Sequence, residues 1–118
     1  GWDRVVAITD SIMAAGLPDG NYKLGVNDVI VEDGDAKLPN GVRAGSTLTL
    51  AQALRNLMAF TGEGAETVSR LMTANPARLM GWASKGELDV GRDADLVLLD
   101  EHYQVARTVV GGRTVYTR

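Results

Sequence analysis

The 118-residue sequence has no cysteine and a single histidine, His102. The first absence excludes disulfide staples and thiolate metal sites, and it fits a reducing, cytoplasmic compartment. The second leaves no imidazole pair, although a metal site wants two or three convergent ligands. No apolar stretch approaches the roughly 20 residues of a membrane helix. No basic segment followed by an apolar one is visible at the start, so no signal peptide is expected. There is no basic run, and with a net charge of -3 and a pI near 5.0 the composition argues against a nucleic-acid surface. Internal repeats and low-complexity segments are also missing. What remains is 45% apolar residues, enough for the core of one small domain. The chain opens almost directly into an apolar run, as if cut from something longer. A fragment is therefore expected, with a complete small α+β protein as the alternative.

That opening run, Val5-Val6-Ala7-Ile8-Thr9-Asp10, reads as a strand over residues 5–9 with a carboxylate where the apolar stretch ends. Small residues follow, Ser11-Ile12-Met13-Ala14-Ala15-Gly16. In barrel enzymes catalytic groups sit at the C-terminal ends of strands, which makes Asp10 a candidate general acid/base. The plainer reading of Asp10 is a helix N-cap or turn residue. Residues 16–21, rich in Gly, Pro and Asp, read as loop and turn. Residues 26–32 and 36–38 read as two short strands joined by Asp33-Gly34, a strong hairpin signal, inserted over the surface between residues 22 and 38.

Residues 49–61 carry the clearest helical pattern. Leu50, Ala53, Leu54, Leu57 and Met58 share one stripe, Thr49 with Gln52 fits a capping box, and Gly62 suits the C-terminal cap. A second helix is predicted from residue 64 or 65 to 73, with Val68, Leu71 and Met72 inside. Asn75 as N-cap and Pro76 at the first helical position predict a third, short helix through Met80, closed by Gly81. From Gly86 the pattern turns to β: strands over 94–99, 105–110 and 114–116, with Gly111-Gly112 as a tight turn, make a small antiparallel meander.

Other polar groups read as structural. His102 lies in a polar turn between two strands. The pairs Asp93/Asp95 and Glu87/Asp89 can bind cations, but they read better as caps and solvated turns. Trp2 and Trp82 read as packing residues. The stretch Arg43-Ala44-Gly45-Ser46-Thr47 reads as a plain loop with Ser/Thr capping, or as small residues that let backbone groups approach a ligand.

Taken in order, residues 5–16, Ala44-Gly45-Ser46-Thr47-Leu48-Thr49, the helix with Arg55-Asn56, Thr73-Ala74-Asn75-Pro76-Ala77-Arg78, and residues 86–97 resemble the last third of the N-acetylglucosamine-6-phosphate deacetylases of the amidohydrolase superfamily. Asn-Pro-Ala-Arg and Gly-x-x-Ala-Asp-Leu-Val are shared with many amidohydrolases. Thr-Asp followed by Ala-Ala-Gly, with Ala-Gly-Ser-Thr-Leu-Thr downstream, is more particular to the deacetylases.

The resemblance implies an α/β fragment: the last strand and closing helices of a (β/α)8 metallo-hydrolase barrel, plus C-terminal strands of a small β-sandwich. Residues 1–81 would belong to the barrel and 82–118 to the sandwich. The chain by itself is too short for such a barrel, which needs roughly 200 residues. The resemblance also implies that Asp10 activates water held by the metal and protonates the departing amine. By the same carry-over, Arg43, Ala44 and Gly45 match the loop that contacts the sugar. Arg43 departs from the apolar residue expected there, where the backbone could still serve. The divalent metal, Zn or Fe, would be held by upstream residues absent from this chain, so these residues alone are expected to be inactive. The implied substrate is N-acetylglucosamine 6-phosphate, and a homodimer is expected for the parent enzyme. Isolated strands expose edges and apolar faces, so the fragment is expected to self-associate. The rivals are another amidohydrolase, such as a cyclic amide or imide hydrolase, and a non-catalytic β-rich interaction module.

Overall fold

The computed structural model describes all 118 residues, which divide into two compact units: Ile8–Ala53, and Gly1–Ala7 together with Leu54–Arg118. Each has its own three-stranded antiparallel sheet.

In the Ile8–Ala53 unit the strands are β1 (Gly20–Leu24), β2 (Asn27–Glu32) and β3 (Asp35–Lys37), in that order across the sheet. The β2–β3 hairpin is the one predicted, and its turn explains why. Asp33 and Gly34 both have positive φ, 51° and 73°, the type I′ geometry that Asp-Gly favours and that matches strand twist. Asp19 latches this turn by accepting hydrogen bonds from Asp33 N at 2.6 Å and Gly34 N at 3.2 Å. β2 alternates as a half-buried strand should, with Val29 and Val31 inside. They pack with Ala14, Ala36 and Ala44, flanked by Ile12, Tyr22 and Leu38. β1 is a correction to the sequence reading, which had loop up to residue 21 and put Val26 in a strand. Gly20 pairs with Val31 as a strand residue, and Val26 is a 94% exposed turn position.

A second correction concerns residues 5–9. Val5 is extended (φ -107°, ψ 135°), but residues 5–10 join no strand ladder, and Trp2–Arg4 is a turn of 3-10 helix. An apolar run sets an extended backbone, whereas a strand also needs a neighbour that pairs with it along its length. Here the segment is held by isolated bonds instead, such as Ala7 N to Leu71 O at 2.9 Å.

α1 (Leu50–Thr61) starts where Thr49 Oγ1 accepts from Gln52 N at 3.3 Å, and ends where Gly62 N donates back to Met58 O at 3.0 Å. Ala53 and Leu54 of the predicted stripe are buried, but Leu50 in the first turn is 55% exposed. In the second unit, α2 (Ala65–Arg70) stops three residues early and turns into α3 (Ala74–Leu79). Val68 and Leu71 are buried as predicted.

The α3 N-cap is Thr73, so Asn75 and Pro76 lie inside the first turn, where a missing N–H costs nothing. Asn75 does other work. It is buried and donates through Nδ2 to Trp2 O at 2.9 Å and Val5 O at 2.7 Å, pinning the N-terminal residues to the helix. At the far end, Trp82 N to Ala77 O at 2.9 Å and Gly81 N to Arg78 O at 3.1 Å close α3 in a Schellman motif.

β4 (Leu96–Leu99), β5 (Val105–Val110) and β6 (Arg113–Thr117) form the predicted meander. Asp95 Oδ1 accepts from Gly111 N at 2.7 Å, tying the β5–β6 turn to the start of β4.

Candidate active site

In the Ile8–Ala53 unit, β3 leads the chain to the site. Lys37 and Arg43 form an antiparallel bridge, and Ala44 N donates to Ala36 O at 2.9 Å, so residues 43 and 44 run back along β3. Residues 45 and 46 then meet the segment around Asp10. Ser11 and Ser46 form a parallel bridge. Ser46 N donates to Asp10 O at 2.8 Å, and Ile12 N to Ser46 O at 2.9 Å. The Ser46 hydroxyl donates to Thr9 O, and that of Ser11 to Leu48 O.

The result is an open cleft of about 440 Å³ lined by all four residues singled out from the sequence: Asp10, Arg43, Ala44 and Gly45. Leu24 and Asn27, the strand residues on either side of the β1–β2 turn, line it as well. Asp10 is exposed, and its carboxylate accepts no hydrogen bond from the chain. It caps no helix. Its φ of 51° lies in the left-handed region, which costs an L-residue on the order of 1 kcal/mol and which Asp tolerates better than most.

Gly45 is fitted to that geometry. At φ 96°, an added Cβ would meet Asp10 O and Ile12 Cγ2, each at 2.8 Å. Only a residue without a side chain lets the two segments approach this closely. Arg43 turns its guanidinium to Asp35, with Nε 3.1 Å from Oδ1 and Nη2 3.4 Å from Oδ2. Lys37 Nζ lies 2.9 Å from Asp35 as well. The hydrogen bond from Lys37, and then that from Arg43, hold the Asp35 carboxyl below its ordinary 3.8. Ala44 is buried.

The remaining polar candidates are structural. His102 sits in the exposed turn before β5, where its N–H donates to Asp100 Oδ1 at 2.9 Å. Asp93 and Asp95 pair with Lys85 at 3.0 and 2.5 Å. Glu87 pairs with Arg92 at 2.9 Å, and Asp89 accepts from Val90 N. No three His, Cys, Asp or Glu side chains converge as a metal site would require. The residues of this chain therefore do not by themselves fit the divalent ion that the resemblance implies. Ser46 and Asn27 were missed from the sequence. Ser46 lay within the stretch read as loop capping, and Asn27 in a hairpin strand.

Residues 12–115 match the profile of the Amidohydrolase family. The chain belongs to that family. This amidohydrolase sequence is 40% identical over 113 residues to the N-acetylglucosamine-6-phosphate deacetylase of Lysinibacillus sphaericus, covering 96% of the chain and 29% of that protein. It is equally 40% identical to the Caenorhabditis elegans N-acetylglucosamine-6-phosphate deacetylase, over 114 residues, with 95% of the chain and 27% of the relative covered. The crystal structure of N-acetylglucosamine-6-phosphate deacetylase from Thermotoga maritima superposes on 99% of the chain with a TM-score of 0.92 and 39% identity, and the chain covers 32% of it. The amidohydrolase chain thus spans less than a third of the length of these relatives. The resemblance read from the motifs is borne out.

Proposed function

We propose that this chain is the C-terminal part of a metal-dependent amide hydrolase that converts N-acetylglucosamine 6-phosphate and water to glucosamine 6-phosphate and acetate. The observation that carries the reading is the meeting of Asp10 with Arg43, Ala44 and Gly45 in one cleft. Those are the proton-transfer and sugar-contacting positions that the resemblance assigns. The relatives' names supply the substrate.

In the reaction, the water oxygen bonds to the acetyl carbon and the carbon–nitrogen bond breaks. Asp10 takes the water's proton and delivers it to the departing amine, whose basic nitrogen would otherwise be a poor leaving group. An exposed carboxylate with no internal hydrogen bond is free to exchange a proton with a molecule in the cleft. Ala44 and Gly45 offer backbone to the sugar at a spot where side chains are small or missing. Arg43 contributes through its backbone, because its guanidinium is paired with Asp35.

The divalent ion would be held by other residues of the enzyme. Residues 1–81 would close a (β/α)8 barrel and 82–118 would supply strands to a small β-sandwich, in a cytoplasmic homodimer. No helix is long and apolar enough to cross a membrane.

The test is acetate release from N-acetylglucosamine 6-phosphate by the full gene product, beside its Asp10→Asn variant. Turnover should fall by about 100-fold or more when the proton carrier is removed. A variant that turns over like the parent would mean that another group moves the proton. A parent that releases no acetate would overturn the substrate.

A further inference from the structure

Asp10 holds a left-handed backbone conformation, with φ 51°, that is costly for an L-residue. It is restrained there by a residue far along the chain. Ser46 fastens both carbonyls flanking the Asp10 Cα. Its N–H donates to Asp10 O at 2.8 Å, and its hydroxyl donates to the preceding carbonyl, Thr9 O. Its own carbonyl accepts from Ile12 N at 2.9 Å, so the peptide on each side of Asp10-Ser11 is tied to one residue. The hydroxyl is itself held in place, because Oγ accepts from Leu48 N at 3.2 Å. Gly45 completes the seat by presenting no Cβ to Asp10 O.

We infer that Ser46 is a positioning residue that holds the Asp10 carboxylate in line for proton transfer. The inference rests on Asp10 being the proton carrier proposed above. Ser46 does not line the cleft, and its hydroxyl is spent on Thr9 O, so it acts through Asp10 and not on substrate. Rotation about the Thr9 and Asp10 dihedrals swings the carboxylate, and a displacement of about 1 Å at a reacting group costs about 100-fold in rate.

Ser46→Ala removes the hydroxyl bond and keeps the backbone bond. In the full gene product it should lower kcat for acetate release by about 10- to 100-fold, with KM within about threefold. Ser46→Thr keeps the hydroxyl and should recover most of the rate. A kcat for Ser46→Ala within about twofold of the parent would overturn the inference, as would a loss confined to KM, or a Ser46→Thr variant as slow as Ser46→Ala. Should Ser46→Ala fail to fold, Ser46→Cys, nearly isosteric but a weak donor, takes its place against Ser46→Thr. Asp10→Asn separates the two levels. If it is inactive while Ser46→Ala is unimpaired, only the positioning role fails. If Asp10→Asn is active, the role of Asp10 fails and that of Ser46 with it.

Discussion

Residues in this chain are often held by partners that local sequence rules cannot name. Asn75 next to Pro76 carries a helix-start signal, yet the carbonyls of Trp2 and Val5 claim its side chain and Thr73 takes the cap. A buried amide bonded to two carbonyls outweighs a cap whose loss would cost about 1 kcal/mol. Asn75→Ala should therefore cost about 1–3 kcal/mol, because it removes the side-chain donor from Val5 O and leaves Trp2 O with the Val5 N–H alone. Chemical unfolding of the full gene product beside the variant would read this, and an unchanged midpoint would contradict it. Asp10 stood out because an apolar run stopping at a carboxylate is a local pattern, and it lines the cleft. Ser46 did not stand out, because its hydroxyl bonds Thr9 O across 37 positions of sequence. Gly45 stood within a stretch of small residues open to a close backbone approach, but nothing near it in sequence signals that the approach is to Asp10.

Elements whose signals are local came out as read. α1 has its apolar spacing, its Thr49 cap and its Gly62 stop within 14 consecutive residues, 49–62. The two hairpins carrying Asp33-Gly34 and Gly111-Gly112 were likewise plain from turn chemistry. β1 was hidden by Gly20 and by the Gly/Pro/Asp-rich stretch before it, and its pairing to β2 is what makes it a strand. Residues 5–9 failed in the opposite sense, since their apolar pattern finds no ladder.

The β4–β6 meander is tied by partly exposed carboxylates, which set its response to pH. Lys85 hydrogen-bonds Asp93 and Asp95 and holds both below their ordinary 3.8. The Gln104 N–H does the same for Asp100, aided by Arg118. Depressed carboxylates contribute stability that is present above the unfolded value and lost as pH falls through the folded one. Lys85, hydrogen-bonded first by Asp95, is raised above 10.5, so its share is present below that value and lost as pH rises through the folded one. These pairs are solvent-screened and individually small. Thermal midpoints should be level between about pH 5 and 9 and decline below about pH 4. Asp95→Asn should blunt the acid decline, and an identical decline in the variant would remove Asp95 from the account.

On the scale of the whole molecule, apolar surface dominates what can be foreseen. Ile8, Phe60, Leu79, Leu88 and Val115 are all exposed, and Val90 is 98% exposed. Scattered single residues of this kind are ordinary, but so many on 118 residues, with β-strand edges beside them, favour association. The 118 residues expressed alone should sediment as a concentration-dependent mixture, and a monodisperse monomer would count against this. The division into units carries a further consequence. The chain leaves one unit after Ala7 and rejoins it at Leu54, and every residue that lines the cleft lies in between. The cleft and the segments that shape it are therefore contributed by one continuous stretch of chain, inserted into the sequence of the other unit. An insertion or deletion within residues 8–53 would alter the cleft without changing the sequence of the unit formed by 1–7 and 54–118.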